Sequence, residues 1–180
     1  MEEAGLDISA RASKVKLVLL DSDGVLTDGR IIMSSDGQDV RAFDVRDGHG
    51  IRMGQQAGLL FGVISGRESR ALAERAAELQ FDEVHQRVLD KLGRAKEILD
   101  RRGLAFESTC FMGDDLIDLR VMRRCGFAVA PADAVPEVRE AAHYVTAREG
   151  GRGAVREVID LVLRANGKWD DVTARYLSED

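Results

Sequence analysis

Apolar residues in this chain fall in short blocks separated by polar, helix-patterned segments. Val15-Lys16-Leu17-Val18-Leu19-Leu20, Leu60-Phe61-Gly62-Val63-Ile64 and Cys110-Phe111-Met112 are nearly continuous blocks, which predict buried strands. Phe127-Ala128-Val129-Ala130 and Tyr144-Val145-Thr146 predict further short strands, and Glu83-Val84-His85 is strand-like. Helical patterns lie between them, around 48–57, 67–79, 91–102, 115–124, 136–142 and 153–165. In the third of these, Leu92, Ala95, Ile98 and Leu99 recur at helical spacing. Such alternation predicts an α/β fold, a mostly parallel sheet flanked by helices on both faces. One segment breaks the rhythm: Arg30 to Phe43 reads as two strands around Ser34-Ser35-Asp36-Gly37, a β-hairpin protruding after the first strand. No repeat or linker divides the chain. A single domain is expected over 14–167, with 1–13 and 168–180 as terminal extensions and a mobile tail from Gly167.

Charge narrows the partners. The 180 residues carry 26 Lys+Arg against 32 Asp+Glu, a net charge of -6. Nucleic acids and anionic membranes recruit excess positive charge, so neither is the expected partner. No apolar stretch is long enough to span a bilayer, and the first residues lack the pattern of a signal peptide. Cys110 and Cys125 make no disulfide framework and have no metal-ligand spacing. They read as strand core and helix end, in a cytoplasmic, reducing setting.

The chemistry sits just after the strands. The first strand runs into Asp21-Ser22-Asp23-Gly24-Val25-Leu26-Thr27-Asp28-Gly29, and the third runs into Gly113-Asp114-Asp115-Leu116-Ile117-Asp118. Ser65 follows another strand. Aspartates cap helices and make turns everywhere, so a lone Asp-x-Asp-Gly carries little weight. Two such clusters at strand ends carry more, because open α/β sheets bind ligands there. Clustered carboxylates also repel unless a cation or protons neutralise them, and oxygen ligation suits Mg²⁺.

These residues, with Ile64-Ser65-Gly66-Arg67 and Lys91, resemble the four ordered motifs of the haloacid dehalogenase-like (HAD) superfamily. Phe43-Asp44-Val45-Arg46-Asp47-Gly48-His49-Gly50-Ile51, Arg75 and Gly151-Arg152-Gly153-Ala154-Val155-Arg156 narrow the resemblance to its sugar-acid phosphatases. The resemblance implies a Rossmann-like HAD core and a Mg²⁺-dependent phosphatase. The expected substrate is 3-deoxy-D-manno-octulosonate 8-phosphate (Kdo-8-phosphate), in lipopolysaccharide precursor synthesis. Asp21 is then the nucleophile that becomes an aspartyl-phosphate, and Asp23 the acid/base. Mg²⁺ is implied on the side chains of Asp21 and Asp114 and the main-chain carbonyl of Asp23. Ser65 and Lys91 are the implied donors to the phosphoryl oxygens. Asp115 or Asp118 is left either to orient metal-bound water or, for Asp118, to face the first helical turn.

Substrate choice is expected from Asp44, Val45, Arg46, Asp47, Gly48, Arg52, Arg67 and Arg75, with Asp23 and Lys91. Arg67 and Arg75 are read as sharing one face of one helix, able to meet a sugar carboxylate together. Arginine at 67, where relatives acting on nine-carbon acids carry Glu, favours Kdo-8-phosphate over a nonulosonate 9-phosphate. The segments between the motifs have no room for a cap domain. The site therefore needs cover from another subunit, and the hairpin is the candidate element of a homotetramer. A non-catalytic HAD-like oligomerisation module is the competing class, and the intact Asp21, Asp23, Lys91 and Asp114 argue against it. Arg87 departs from the Gly that relatives carry there. His49, His85 and His143 have no expected part in the chemistry, and Arg152 is at most a neighbour of a site.

Overall fold

Leu17–Leu20 forms β1, every residue buried, and the rest of the architecture is arranged around it. The computed structural model describes residues 2–35 and 39–177, and of residues 2–6 it describes the backbone alone. Beside β1 lie β4 (Leu60–Ile64) on one side and β6 (Thr109–Met112) on the other. With β5 (Glu83–His85), β7 (Phe127–Ala130) and β8 (Tyr144–Val145) they make a six-stranded sheet of order β5-β4-β1-β6-β7-β8, parallel throughout. The chain builds outward from β1 to β5, then returns to the other side of β1 for β6. That reversal creates a crevice at the carboxyl ends of β1 and β6. Leu20 pairs with both Val63 and Met112, so Asp21, Ser65 and Asp114 all emerge at this edge.

Strand alternation divides the core. Val18 and Leu20 face one side of the sheet, packed with Ile51 of α2 (Val45–Gln56) and Val158 of α7 (Ala154–Ala165). Leu17 and Leu19 face the other, with Ile98 of α4 (Lys91–Arg102) and Val121 of α5 (Leu119–Met122). Helix α7 buries Val155, Val158, Ile159, Val162 and Leu163, one stripe at helical spacing. Each such side chain withdrawn from water stabilises the fold by about 1.5–3 kcal/mol.

The α/β expectation is borne out, and the differences have local causes. β1 starts at Leu17 rather than Val15. The helix expected over 115–124 is a 3₁₀ turn, Leu116–Asp118, followed by the short α5. Asp118 turns its side chain back to the peptide N–H groups of Asp114 and Asp115 (3.2 and 3.4 Å) and tightens that first turn. The hairpin consists of β2 (Ile32–Met33) and β3 (Asp39–Val40), antiparallel, while Asp36 and Gly37 of its expected turn lie outside the described residues. Ile31, Ile32, Met33 and Val40 on it are exposed.

Both chain ends carry helices where extensions were expected. Glu2–Ala12 is α1, its Ala12 fully buried against the first core and its Arg11 donating to the Gly126 carbonyl (3.0 Å). Trp169–Leu177 is α8, not a mobile tail: Val172 and Thr173 are buried and the Arg164 guanidinium lies 3.7 Å from the Trp169 ring centre. Four scattered apolar residues gave that helix too weak a periodic signal. Among the described residues no helix is long and apolar enough to cross a membrane.

Two helices meet at Asp47. Its carboxylate is buried in the first turn of α2 and accepts from Gly153 N (3.3 Å) and Arg156 N (2.7 Å), satisfying open donors at the start of α7. Burial nevertheless raises its pKa from the ordinary 3.8 to about 6. A raised folded-state pKa means a contribution fully present below pH 4 and lost as pH rises through 6. Asp47→Asn keeps an acceptor and cannot titrate. Its stability relative to the parent should therefore improve by about 2 kcal/mol between pH 4 and pH 7. Urea unfolding at the two pH values checks this, and a pH-independent difference contradicts it.

Candidate active site

The turn after β1 is wound tightly about one carbonyl. Ser22 O accepts from Leu26 N (3.0 Å) and Thr27 N (3.1 Å), which holds Asp21 and Asp23 at the sheet edge. Asp21 is buried, whereas the Asp23 side chain is 24% exposed, so the two carboxylates sit in different environments.

Lys91, the first residue of α4, is buried beneath Asp21. Its Nζ reaches Asp21 Oδ1 at 2.8 Å and Asp118 Oδ1 at 2.6 Å. Burial works against the ammonium, but the two aspartates more than offset that and hold its pKa above the ordinary value. Asp118 is fully engaged: one oxygen takes Lys91 and the other takes the two peptide N–H groups. Sequence reasoning left its role open; its work here is to anchor Lys91 and the 113–115 turn.

Asp114 is the odd member. Its Oδ1 is buried and has no hydrogen-bond partner among the described residues. Burial, then the charges of Asp21 and Asp118, lift its pKa to about 8. The same burial, with Asp118 beside it and Lys91 opposing, raises Asp21 to about 6. Oxygens of Asp21, Asp114 and Asp118 lie within 4.8 Å of one another. Three carboxylates face one ammonium, and oxygen-only donors of this kind fit a hard divalent cation. Asp21 and Asp114 are the members with ligating capacity to spare.

Gly24 makes room for this. With φ at +86°, a Cβ placed there would lie 2.1 Å from Asp114 Oδ2. Gly24→Ala should therefore displace the Asp114 carboxylate and weaken divalent-cation binding at least about tenfold. Calorimetric titration checks it; unchanged affinity would remove Asp114 from the ligand set.

The remaining predicted residues separate in space. Ser65 is buried next to the cluster's edge and accepts from Arg67 N (3.3 Å). Arg67 Nε is 3.8 Å from Asp23 Oδ2, at the mouth. Helix α3 (Arg70–Glu78) begins only at Arg70, with Ser69 as its cap, so Arg67 and Arg75 do not share a helix face as expected. Arg75 instead lies 5.9 Å from the Phe43 ring centre, pairs with Glu78 (2.8 Å) and packs on Gly48, where a Cβ would meet its Nη2 at 2.2 Å. Asp44 caps α2 and holds Arg46 through both side chain and backbone, while Val45 is exposed. Arg46 also donates to the Arg152 carbonyl (3.1 Å). Arg52 pairs with Gln55 and Gln80 and lines a groove with Leu59 and Leu60, at the amino end of β4. The five-residue length of β4, about 16 Å, separates that end from Ser65.

One contact lay beyond the sequence reading. Arg41, at the foot of the hairpin, donates from Nη1 to Asp23 Oδ1. Nothing in the pattern marks Arg41, because only the fold brings β3 over the turn after β1.

Comparison with known proteins agrees with this geometry. Residues 81–159 match the haloacid dehalogenase-like hydrolase family. The chain is 43% identical over 171 residues to the 3-deoxy-D-manno-octulosonate 8-phosphate phosphatase KdsC of Escherichia coli, covering 95% of this chain and 91% of that one. The crystal structure of the corresponding phosphatase from Yersinia pestis superposes with a TM-score of 0.90 at 43% identity, covering 91% of this chain and 89% of that one. The Moraxella catarrhalis phosphatase, solved in complex with magnesium, phosphate and KDO, superposes with a TM-score of 0.92 at 36% identity over 94% and 97% of the two chains. Strand-end aspartates, buried lysine, uninterrupted sheet and identity along nearly the whole chain agree: this chain belongs to the haloacid dehalogenase-like hydrolases, among their capless phosphoric monoester hydrolases.

Proposed function

We propose that this chain hydrolyses Kdo-8-phosphate to Kdo and phosphate through an aspartyl-phosphate on Asp21, in the cytoplasm, in lipopolysaccharide precursor synthesis. The observation that carries the reading is the convergence of Asp21, Lys91 and Asp114 at the end of β1, in a chain so similar to Kdo-8-phosphate phosphatases. Asp21 presents a carboxylate oriented by Lys91, and attack on phosphorus needs that carboxylate ionised. Mg²⁺ would be held by the Asp21 and Asp114 side chains and the Asp23 carbonyl, and when bound it offsets negative charge at the phosphoryl group. Lys91 and Ser65 supply fixed donors to the phosphoryl oxygens. Asp23, partly open to solvent, gives a proton to the leaving sugar oxygen and later takes one from water.

In this reading Arg67, which lies beside Asp23 at the mouth, meets the sugar carboxylate. Asp44, Asp47 and Gly48 shape the wall that carries Arg46 and Arg75. Arg52 and the exposed Val45 enter this reading through a neighbouring subunit, since Arg52 lies at the far end of β4 within one chain. A homotetramer built on the hairpins would cover their exposed apolar residues and close the site. The catalytic domain proper is taken as 14–167.

Phosphate release from Kdo-8-phosphate and from a nine-carbon sugar-acid 9-phosphate, with Mg²⁺, tests the substrate. Turnover of the eight-carbon ester at kcat/KM about tenfold or more above the other is expected. The reverse preference overturns the substrate and leaves the chemistry in place.

A further inference from the structure

The hairpin delivers a buried cation to the reaction centre. The Arg41 side chain is 1% exposed. Its Nε donates to both oxygens of Asp39 (2.8 and 3.0 Å), its Nη1 donates to Asp23 Oδ1, and its Nη2 is buried without a partner among the described residues. The hydrogen bond from Arg41 holds the Asp39 carboxyl below its ordinary pKa, with Ser69 and Arg67 also contributing. Asp39 therefore stays charged and grips the guanidinium plane.

A plain ion pair fastening the hairpin foot would need Asp39 alone. Here Asp39 takes Nε, and the rigid fork of the guanidinium then aims Nη1 in one direction, at Asp23 Oδ1. Oδ2 of Asp23 is left on the side of Arg67, at the mouth of the site. Asp23 is the side chain that most needs such control. It is partly open to water and must present one chosen oxygen to the substrate.

We propose that Arg41 is a positioning residue for departure of the leaving group, anchoring Asp23 through Oδ1 so that Oδ2 carries the proton. The proposal rests on Asp23 acting as the acid in the reading above. As an Asp21 oxygen bonds to phosphorus, the bond from phosphorus to the sugar oxygen breaks and its electron pair goes to that oxygen. The oxygen takes the proton from Asp23 Oδ2, leaving a carboxylate whose Oδ1 stays on Arg41. Water then attacks phosphorus and gives its proton to the same Oδ2, and the Asp21–phosphorus bond breaks with its electrons returning to Asp21. Inorganic phosphate, the sugar acid and the starting enzyme result.

The test exploits leaving groups. A sugar alkoxide needs protonation as it departs, whereas 4-nitrophenolate leaves unaided. In Arg41→Met, with saturating Mg²⁺, kcat/KM on Kdo-8-phosphate, which reports the steps through departure of the sugar, should fall about 100-fold. On 4-nitrophenyl phosphate kcat/KM should fall by about threefold or less; kcat is not the readout, since hydrolysis of the aspartyl-phosphate, which also uses Oδ2, is common to both esters. Asp23→Asn should show the same split, and adding Arg41→Met to it should cost nothing further. Arg41→Lys, which keeps a charge against Asp39, should show the split at reduced size, and it decides the matter if the methionine variant does not fold. Equal losses on both esters, or additive losses in the double variant, overturn the proposal and leave Arg41 a structural tie. An Asp23→Asn variant without the split overturns the acid assignment itself, and the proposal with it.

Discussion

Asp21→Asn should abolish phosphate release, by at least about 1,000-fold in kcat, while leaving a folded protein that is more stable than its parent without Mg²⁺. The loss follows from chemistry: an amide oxygen cannot attack phosphorus and carry the aspartyl ester. The gain follows from electrostatics. Asp21, Asp114 and Asp118 crowd three carboxylates around the single ammonium of Lys91, and burial with Asp118 nearby lifts the Asp21 pKa to about 6. Asparagine keeps an acceptor for Lys91 and removes one repelling charge. A rise of a few degrees in Tm is the expected size, since about 1 kcal/mol moves a domain of this length by roughly 2–4 °C. Active sites commonly hold such destabilising charge because function needs it. The two readouts separate the explanations. Dead enzyme with raised Tm supports a buried nucleophile under repulsion; dead enzyme with a lowered Tm would make Asp21 a structural partner of Lys91. The Tm increase on adding Mg²⁺ should also shrink, because one ligand loses its charge.

The sequence displayed this centre unevenly, and the reasons are physical. Continuous apolar blocks marked β1, β4, β6 and β7 because both faces of a parallel sheet are buried, and α4 was bounded correctly because its apolar spacing is strict. Aspartates after those strands were legible because strand ends fix direction: Asp21 and Asp114 had to emerge at one edge. What stayed hidden depends on distant segments meeting. Asp118 had two roles open to it, orienting metal-bound water or facing the first helical turn, and only the fold brings it to accept from Lys91, which is remote in sequence. Arg41 sits in a short exposed hairpin with no periodicity to mark it, and only the packing of β3 brings it to Asp23. The shared helix face for Arg67 and Arg75 failed on a cap: Ser69 accepts from Leu72 N (3.3 Å) and starts α3 after Arg67. Arg67 was thereby freed to lean on Asp23.

Lys91→Met should be the most damaging single change at this site, to stability and activity together. Methionine matches the aliphatic stem of lysine, so packing under Asp21 is largely kept. What disappears is the ammonium 2.8 Å from Asp21 and 2.6 Å from Asp118, both buried. Removing one partner of a buried ion pair costs about 3–5 kcal/mol, because the other charge is left uncompensated. Asp118 suffers more than Asp21: it is fully enclosed, and only its two peptide donors remain. The 113–115 turn that presents Asp114 should loosen with it, so kcat should fall by about 1,000-fold or more as both phosphoryl donor and ligand placement are lost. Denaturant unfolding with and without Mg²⁺ distinguishes the contributions. Cation binding to the folded state should restore part of the lost stability, more in Lys91→Met than in the parent, since the ion then faces a more negative cluster. Activity should not return with it, because a metal held by the carboxylates does not replace the ammonium as a donor to the phosphoryl oxygens. An Asp118→Asn change in the Lys91→Met background should recover stability by removing the stranded charge, without recovering turnover. Recovery of both together would mean that Lys91 serves only to neutralise Asp118, and that phosphoryl oxygens are held elsewhere.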